Sequence, residues 1–271
     1  MRIVKLNGKN TQNDETEEDG PRRLSSVTAA LRVLKVFSEQ EPELGISTLS
    51  KRMNVAKSTA HRLCAALLAE GFLEQNPDNG RYRLGLQLFT LGGLVRRRFD
   101  VTKQAAPFLQ GLRQQTDESV HLAILDDTNV VYMFNLESEQ AIRMRSYIGV
   151  RKPASCTAEG HVLLASCTPD VVSRVIKQGL VARTPKTNTD TQLFLKALEE
   201  VRRDGYAIDD EESEVGMRGI AAPVRDITGN VVAAIGFGGP AQRLTRKALR
   251  AAVPHLIAAA NGISATIGYH P

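Results

Sequence analysis

The sequence predicts an α+β protein in two parts: an N-terminal winged helix-turn-helix, then a helical linker leading into helices packed on an antiparallel sheet. Three observations carry this. Residues 46–83 read as helix, turn, helix and basic hairpin in that order. From Ser119 the apolar period changes from helical to alternating. Charge is also segregated. Residues 21–98 hold 13 Lys/Arg and 6 Asp/Glu, whereas residues 99–271 hold 19 of each. The chain total of +5 hides this contrast, and a local basic excess is the usual mark of a polyanion partner.

Each element has a local cause. Ser25 or Ser26 is placed to cap a first helix running to about Phe37, with Val27, Leu31, Leu34 and Phe37 inward. Glu41–Gly45 reads as a loop. Ile46, Leu49 and Met53 recur at helical spacing, with Ser47 as the N-cap. Asn54-Val55 breaks that pattern. The second helix runs from about Lys57 to Glu70 with Leu63, Leu67 and Leu68 inward and Gly71 as its stop. Its other face opens with Lys57, Ser58, Thr59, His61 and Arg62, donors of the kind that reach phosphates and base edges. Two strands, 72–75 and 81–84, close on Asn76–Gly80 and carry Arg81 and Arg83. In this plan the second helix enters the major groove of double-stranded DNA.

Gln87–Arg98 and Val101–Thr116 are expected as helices, and the apolar stripe of the first asks for a partner such as a second copy of the chain. Strands follow at 120–125, 130–136 and 142–148. Helices follow at 157–166, 169–180 and 192–203. A hairpin of 219–224 with 231–237 precedes a long helix at about 245–267.

Bulk properties narrow the class. The length allows two cores, and no apolar run approaches the roughly 20 residues of a membrane span. The opening MRIVKLNGKN lacks the apolar centre of a signal peptide. Three cysteines without a CxxC pair suit a reducing cytoplasm. Residues 1–20 read as a polar, disordered tail, with Arg22-Arg23 after it as a solvated pair or a minor-groove arm. No phosphate-loop, nucleophile-elbow or zinc-protease motif occurs, and neither a cofactor nor a metal is expected. The rival to a DNA-binding regulator is a hydrolase with Cys156 as nucleophile and His161 or His121 as base. A third reading is a DNA-binding scaffold with an empty second domain. The run Asp209–Glu212 reads as a solvated loop of which one or two members turn into a cavity.

Over residues 25–268 the chain resembles the IclR family of bacterial transcriptional regulators. The likeness is strongest in 26–37, 49–73, PASCTAEGHVLLA at 153–165 and GYAIDDEESEVGMRGIAAPVRDITGNVVAAIGFGGP at 205–240. With the polar tail taken as 1–23, the resemblance implies a winged helix-turn-helix over 24–85, a linker helix over 86–100 and a GAF-like effector-binding domain over 101–271. It also implies homodimers that meet through the DNA-binding end, often paired into tetramers. Carried over residue by residue, the effector site comprises the amides of Ala158 and Glu159, the acid Asp209, and small residues at Gly219, Gly236 and Gly238. Ala141, Met144 and Met217 form its apolar walls. Amides at a helix start seat a carboxylate, so a small organic acid is implied. Two departures stand out: His161 replaces the usual lysine, and Gly236 and Gly238 replace hydroxyl-bearing residues. The added room at those glycines, together with the likeness of PASCTAEGHVLLA to the branch of the family that controls aromatic-acid catabolism, leans the expected effector toward an aromatic or otherwise larger acid, with a lactone-derived or semialdehyde compound still open.

Overall fold

The computed structural model describes residues 26–97 and 101–270, which form two compact units dividing at residues 98–99. The expected polar tail and the Arg22-Arg23 pair lie outside the described residues.

The N-terminal unit is built on the expected sequence of parts. Helices α1 (Ser26–Leu34), α2 (Ile46–Met53) and α3 (Lys57–Ala69) precede the hairpin of β1 (Leu73–Gln75) and β2 (Tyr82–Leu84). Asn54 takes the left-handed conformation at φ 52°, and its amide closes back on Lys51 O. That turn lets Leu49 and Met53 meet Leu63, Cys64 and Leu67 in one core. Gly45, not Ser47, is the N-cap of α2, and no side chain caps that helix. The expected loop at 41–45 contributes a strand residue: Leu44 and Tyr82 exchange both main-chain hydrogen bonds at 2.9 Å. Helix α1 ends at Leu34 rather than about Phe37, and its expected inward face holds in part, since Leu34 and Phe37 pack against the core. Ala29 and Val33 face inward, while Val27 is 70% and Leu31 54% exposed. Both stripes are apolar, and the small Ala29 sits in the core beside the residues of α3. Helix α4 (Leu86–Arg97) follows, with Leu86, Phe89, Leu94 and Val95 exposed.

The C-terminal unit is an antiparallel sheet of order β5-β4-β3-β8-β7-β6. Its strands are β3 (Ser119–Asp126), β4 (Asn129–Leu136), β5 (Arg151–Pro153), β6 (Ala207–Asp210), β7 (Met217–Arg225) and β8 (Val231–Pro240). On one face α5 (Val101–Thr116) and α9 (Arg246–Thr266) bury Leu109, Leu112, Leu256 and Ile263 against Leu122, Ile220 and Ile235. On the other, α6 (Ala158–Ala165), α7 (Pro169–Gln178) and α8 (Thr191–Asp204) bury Leu164, Val175, Phe194 and Leu198 against Tyr132, Ala221 and Ala234. The alternation expected to make a strand of 142–148 does not. Ile142 and Ile148 are exposed, and the segment is tied down through side chains. Ser119 Oγ donates to Met144 O at 2.7 Å, and Asn135 Nδ2 to Ser146 O at 2.6 Å. The short strand β5 takes the edge beside β4 instead. The carboxylate run begins in a strand, since β6 carries Asp209 and Asp210.

Helix α6 has no solvent face: all 8 of its residues are buried. It lies against the backbone of a one-turn 3₁₀ segment, Ala154–Cys156, and a Cβ at Gly160 would collide with the main chain of Ala154. Alanine is the better helix former, but here packing outweighs propensity. Gly160→Ala is expected to destabilise the protein by about 1–3 kcal/mol, measured by urea denaturation. A neutral or stabilising change would contradict the close approach.

Candidate functional site

Two surfaces carry candidate function, one in each unit. In the first, α3 has a sharp division of faces. Ala60, Leu63, Cys64 and Leu67 are buried, and Lys57, Ser58, His61 and Arg62 are exposed, with Thr59 half-buried between them. Lys57, Arg62 and Arg81 stand in no ion pair among the described residues. Arg83 is committed within the hairpin, since its Nε donates to Glu74 Oε2 at 3.0 Å and Glu43 lies 3.8 Å away. Glu43, packed beneath the wing turn, accepts from Asn79 and Asn76, and those bonds hold its carboxyl below the usual range, while Asp78 of the turn itself is exposed. The hairpin turn itself is fixed by Asn76 and Asn79 side chains accepting from Asp78 N and Arg81 N. Arg81 is thus presented on an ordered tip.

In the second unit a cavity opens between the start of α6 and the sheet. Ala158, Glu159, Asp209, Met144, Met217, Gly219 and Gly238 of the expected site line it. So do His121, Tyr132, Thr157, Ser213, Arg218 and Phe237, which sequence reasoning did not place there. Of these the sequence singles out His121 alone, and as a candidate base rather than as part of this site. Ala141 is exposed in the segment after β4 and does not reach the cavity. Gly236 does not line it either. A Cβ there would lie 2.6 Å from Ile220 O and 2.9 Å from Glu159 Oε1, so its space accommodates Glu159. The space at Gly238 is likewise filled, because Met144 Sδ stands 2.6 Å from a Cβ built there. The cavity volume is about 10 Å³, room for one water. The room expected from these glycines is therefore taken by protein side chains, and any larger occupant must displace the flexible Met144 or Met217.

The polar groups are arranged around α6. Thr157 caps it, Oγ1 accepting from Gly160 N at 3.2 Å. Glu159, at its second position, places Oε1 3.6 Å from His121 Nδ1 and Oε2 3.5 Å from the Tyr132 hydroxyl. Burial pushes its carboxyl up, but His121 and the residue's own main-chain amide outweigh that and hold it below the usual range. Burial first, and then the charges of Glu159 and Asp209, push the Tyr132 hydroxyl well above its ordinary pKa. Asp209 accepts from Glu212 N at 2.7 Å, Ser213 N at 3.3 Å and the Ser213 hydroxyl. Burial nonetheless raises its pKa to about 6.

The rest of the carboxylate run is not a solvated loop. Asp210 pairs with Arg218 and Arg246, Glu211 with Lys186, and Glu212 Oε2 accepts from Asn188 N at 3.0 Å. The thiol–imidazole pair of the hydrolase reading is not assembled. Cys156 Sγ faces Pro153 O at 3.7 Å, and burial pushes its thiol up to about 11. His161 Nε2 is bonded to Ser155 O at 2.9 Å and its ring edges Phe194, while His121 faces Glu159. Among the described residues no cluster suits a metal ion, and no helix is long and apolar enough to cross a membrane.

Comparison with known proteins bears on both units. A family model described as "IclR helix-turn-helix domain" matches residues 26–77, and one described as "Bacterial transcriptional regulator IclR C-terminal" matches residues 94–265. The chain is 37% identical to the HTH-type transcriptional regulator KdgR of Escherichia coli K12 over 251 residues, 92% of this chain and 95% of that one. It is 35% identical to the regulator XynR of the same organism over 247 residues, 91% of this chain and 98% of the relative. Among solved structures it resembles an IclR homologue from Microbacterium hydrocarbonoxydans complexed with 4-hydroxybenzoate. The identity is 28% and the TM-score 0.79, covering 90% of this chain and 99% of that one.

Asp209 makes stability depend on pH. Its folded pKa of about 6 lies above the ordinary 3.8, so the folded chain binds the proton more tightly than the unfolded one. Stability from this group is complete below about pH 4 and is lost as pH rises through 6, on the order of 3 kcal/mol in all. Measured from pH 4 to 7, the wild type is expected to lose stability relative to Asp209→Asn. A pH-independent difference would contradict the assignment.

Proposed function

This chain belongs to the IclR family of bacterial transcriptional regulators, and on that premise we propose that it binds operator DNA through α3 and the wing under the control of a small effector seated beside α6. The observation that carries the DNA reading is the exposed row Lys57, Ser58, His61 and Arg62 backed by a wholly apolar face. Arg62 and the short side chains reach base edges, while Lys57 and Arg81 contact phosphate. The effector reading is supported by a buried cavity that gathers Glu159, Asp209, His121 and Tyr132 at one helix start. A relative with 4-hydroxybenzoate bound supports it further. The regulated genes form a catabolic operon, and the protein acts in the cytoplasm. Effector binding alters DNA affinity only to the extent that it favours one arrangement of the dimer over another.

The dimer joins through the DNA-binding end. Val27 and Leu31 of α1 and Leu86, Phe89 and Leu94 of α4 leave a large apolar surface bare on one chain, and a second copy covers it. Two copies of α3 then address successive major grooves of a pseudo-palindromic operator, and dimers pair further into tetramers.

Two measurements test this. Arg62→Ala is expected to weaken operator binding by about 1–3 kcal/mol and relax specificity, whereas Arg81→Ala lowers affinity for every sequence and reduces the salt slope by about one. Unchanged affinity in both would remove the assignment. Phe89→Glu is expected to give monomers by light scattering and to lose cooperative protection of the two half-sites. A variant that still dimerises would place the interface elsewhere.

A further inference from the structure

The chemistry of the cavity departs from what a carboxylate-binding seat requires. A helix N-terminus attracts anions through its unbonded amides and its dipole. In α6 part of that demand is met from within the chain. The Glu159 carboxylate, 6% exposed, lies at that helix start, where its own main-chain amide helps hold its carboxyl down, and sits beside His121 and Tyr132. Asp209 adds a second buried carboxylate to the same cavity. Arg218 is the single Lys or Arg in the lining, and its guanidinium is committed. It pairs with Asp210, donates to Ala241 O at 2.9 Å and Leu244 O at 3.2 Å, and lies 3.5 Å from Glu211. An entering carboxylate would meet two of its own kind, with His121 already facing Glu159 and no available arginine or lysine, where the medium screens poorly.

The same walls suit another occupant. His121 is 0% exposed and lines the cavity, yet neither ring nitrogen reaches a hydrogen-bond partner. Nδ1 has only the ion-pair approach to Glu159 at 3.6 Å and Nε2 has no partner, and a buried nitrogen left so calls for a ligand. Glu159 and Asp209 retain acceptor capacity beyond the bonds they make. Both carboxylates are already partly satisfied by amides and hydroxyls, so neither demands a full cation. Tyr132 and Phe237 add aromatic surface.

We propose that Glu159 fills the anion seat at the start of α6 with its own carboxylate, so that this chain's cavity takes a neutral, hydroxyl-bearing molecule and rejects organic acids. Hydroxyl hydrogens of the ligand point at Glu159 and Asp209, and His121 bonds a ligand oxygen or hydroxyl. Glu159 is thus a specificity-determining residue. This rests on the cavity being the effector seat, and it replaces the acid implied by the family resemblance with an uncharged partner.

The test uses the full-length protein and matched probes: D-glucitol against D-gluconate, and 4-hydroxybenzyl alcohol against 4-hydroxybenzoate, by thermal shift and calorimetry. The wild type is expected to bind an alcohol and to show no response to the matching acid. Glu159→Leu, with Glu159→Gln as the variant closest in shape, is expected to gain affinity for an acid by about tenfold or more. If the wild type binds neither member of either pair, the variants decide: a gain of acid binding supports the proposal and no gain overturns it. Acid binding by the wild type at least as tight as the alcohol overturns it, as does tighter binding of a protonated amine such as benzylamine. Operator affinity is measured with each binding probe. A probe that binds without changing it counts against effector control and leaves the ligand class standing.

Discussion

Helix α6 is buried along its whole length, so the amides of its first turn must find partners inside the protein. Thr157 supplies one, and the Glu159 carboxylate stands close to its own amide, which helps hold its pKa down. That carboxylate in turn needs company, which His121 on β3 and Tyr132 on β4 provide. Gly236 on β8 leaves the space for it. The helix itself can lie so deep only because Gly160 lets it touch the main chain of Ala154. One requirement, satisfying the start of a buried helix, therefore assembles residues from three strands into a polar cluster at the edge of an apolar core.

Asp209 and its neighbours show the complementary arrangement. Four consecutive carboxylates would repel one another in a loop, but strand β6 sends Asp209 and Asp210 to opposite faces. Asp209 turns into the cavity and ties down Glu212 and Ser213. Asp210 binds two arginines from β7 and α9, and Glu211 and Glu212 hold the segment containing Lys186 and Asn188. Each charge has its own partner, so the run is a fastening between elements rather than a patch. Arg218 is consumed in the same way, which leaves the cavity acidic.

The N-terminal unit divides labour differently. Its small core gathers residues of α1, α2, α3 and the hairpin, and its remaining apolar surface on α1 and α4 stays uncovered within one chain. Acids near the wing are absorbed locally: Glu43 by Asn76 and Asn79, and Glu74 by Arg83. What remains outward at the start of α3 is cationic or hydrogen-bond donating, and on the wing tip Arg81 stands beside the exposed Asp78, so the α3 row is the surface that best suits a phosphate backbone.

Much of this was legible in the residues themselves. Periodicity located α2, α3, α5, α6, α8 and α9 within a few residues, the Asn-Gly tip identified the wing, and the regional charge marked which half meets DNA. These are local properties, set by spacing, turn chemistry and composition. Tertiary packing decided the rest. Two apolar stripes competed in α1, and only the neighbouring helices select Ala29 and Val33. The alternation of 142–148 resembled a strand, but side-chain bonds from Ser119 and Asn135 claimed its carbonyls. Gly236 and Gly238 read as open space, yet Glu159 and Met144 from distant positions fill it. Whether a glycine is a vacancy or a socket depends on which side chain arrives there, and that is a fact about the folded chain alone.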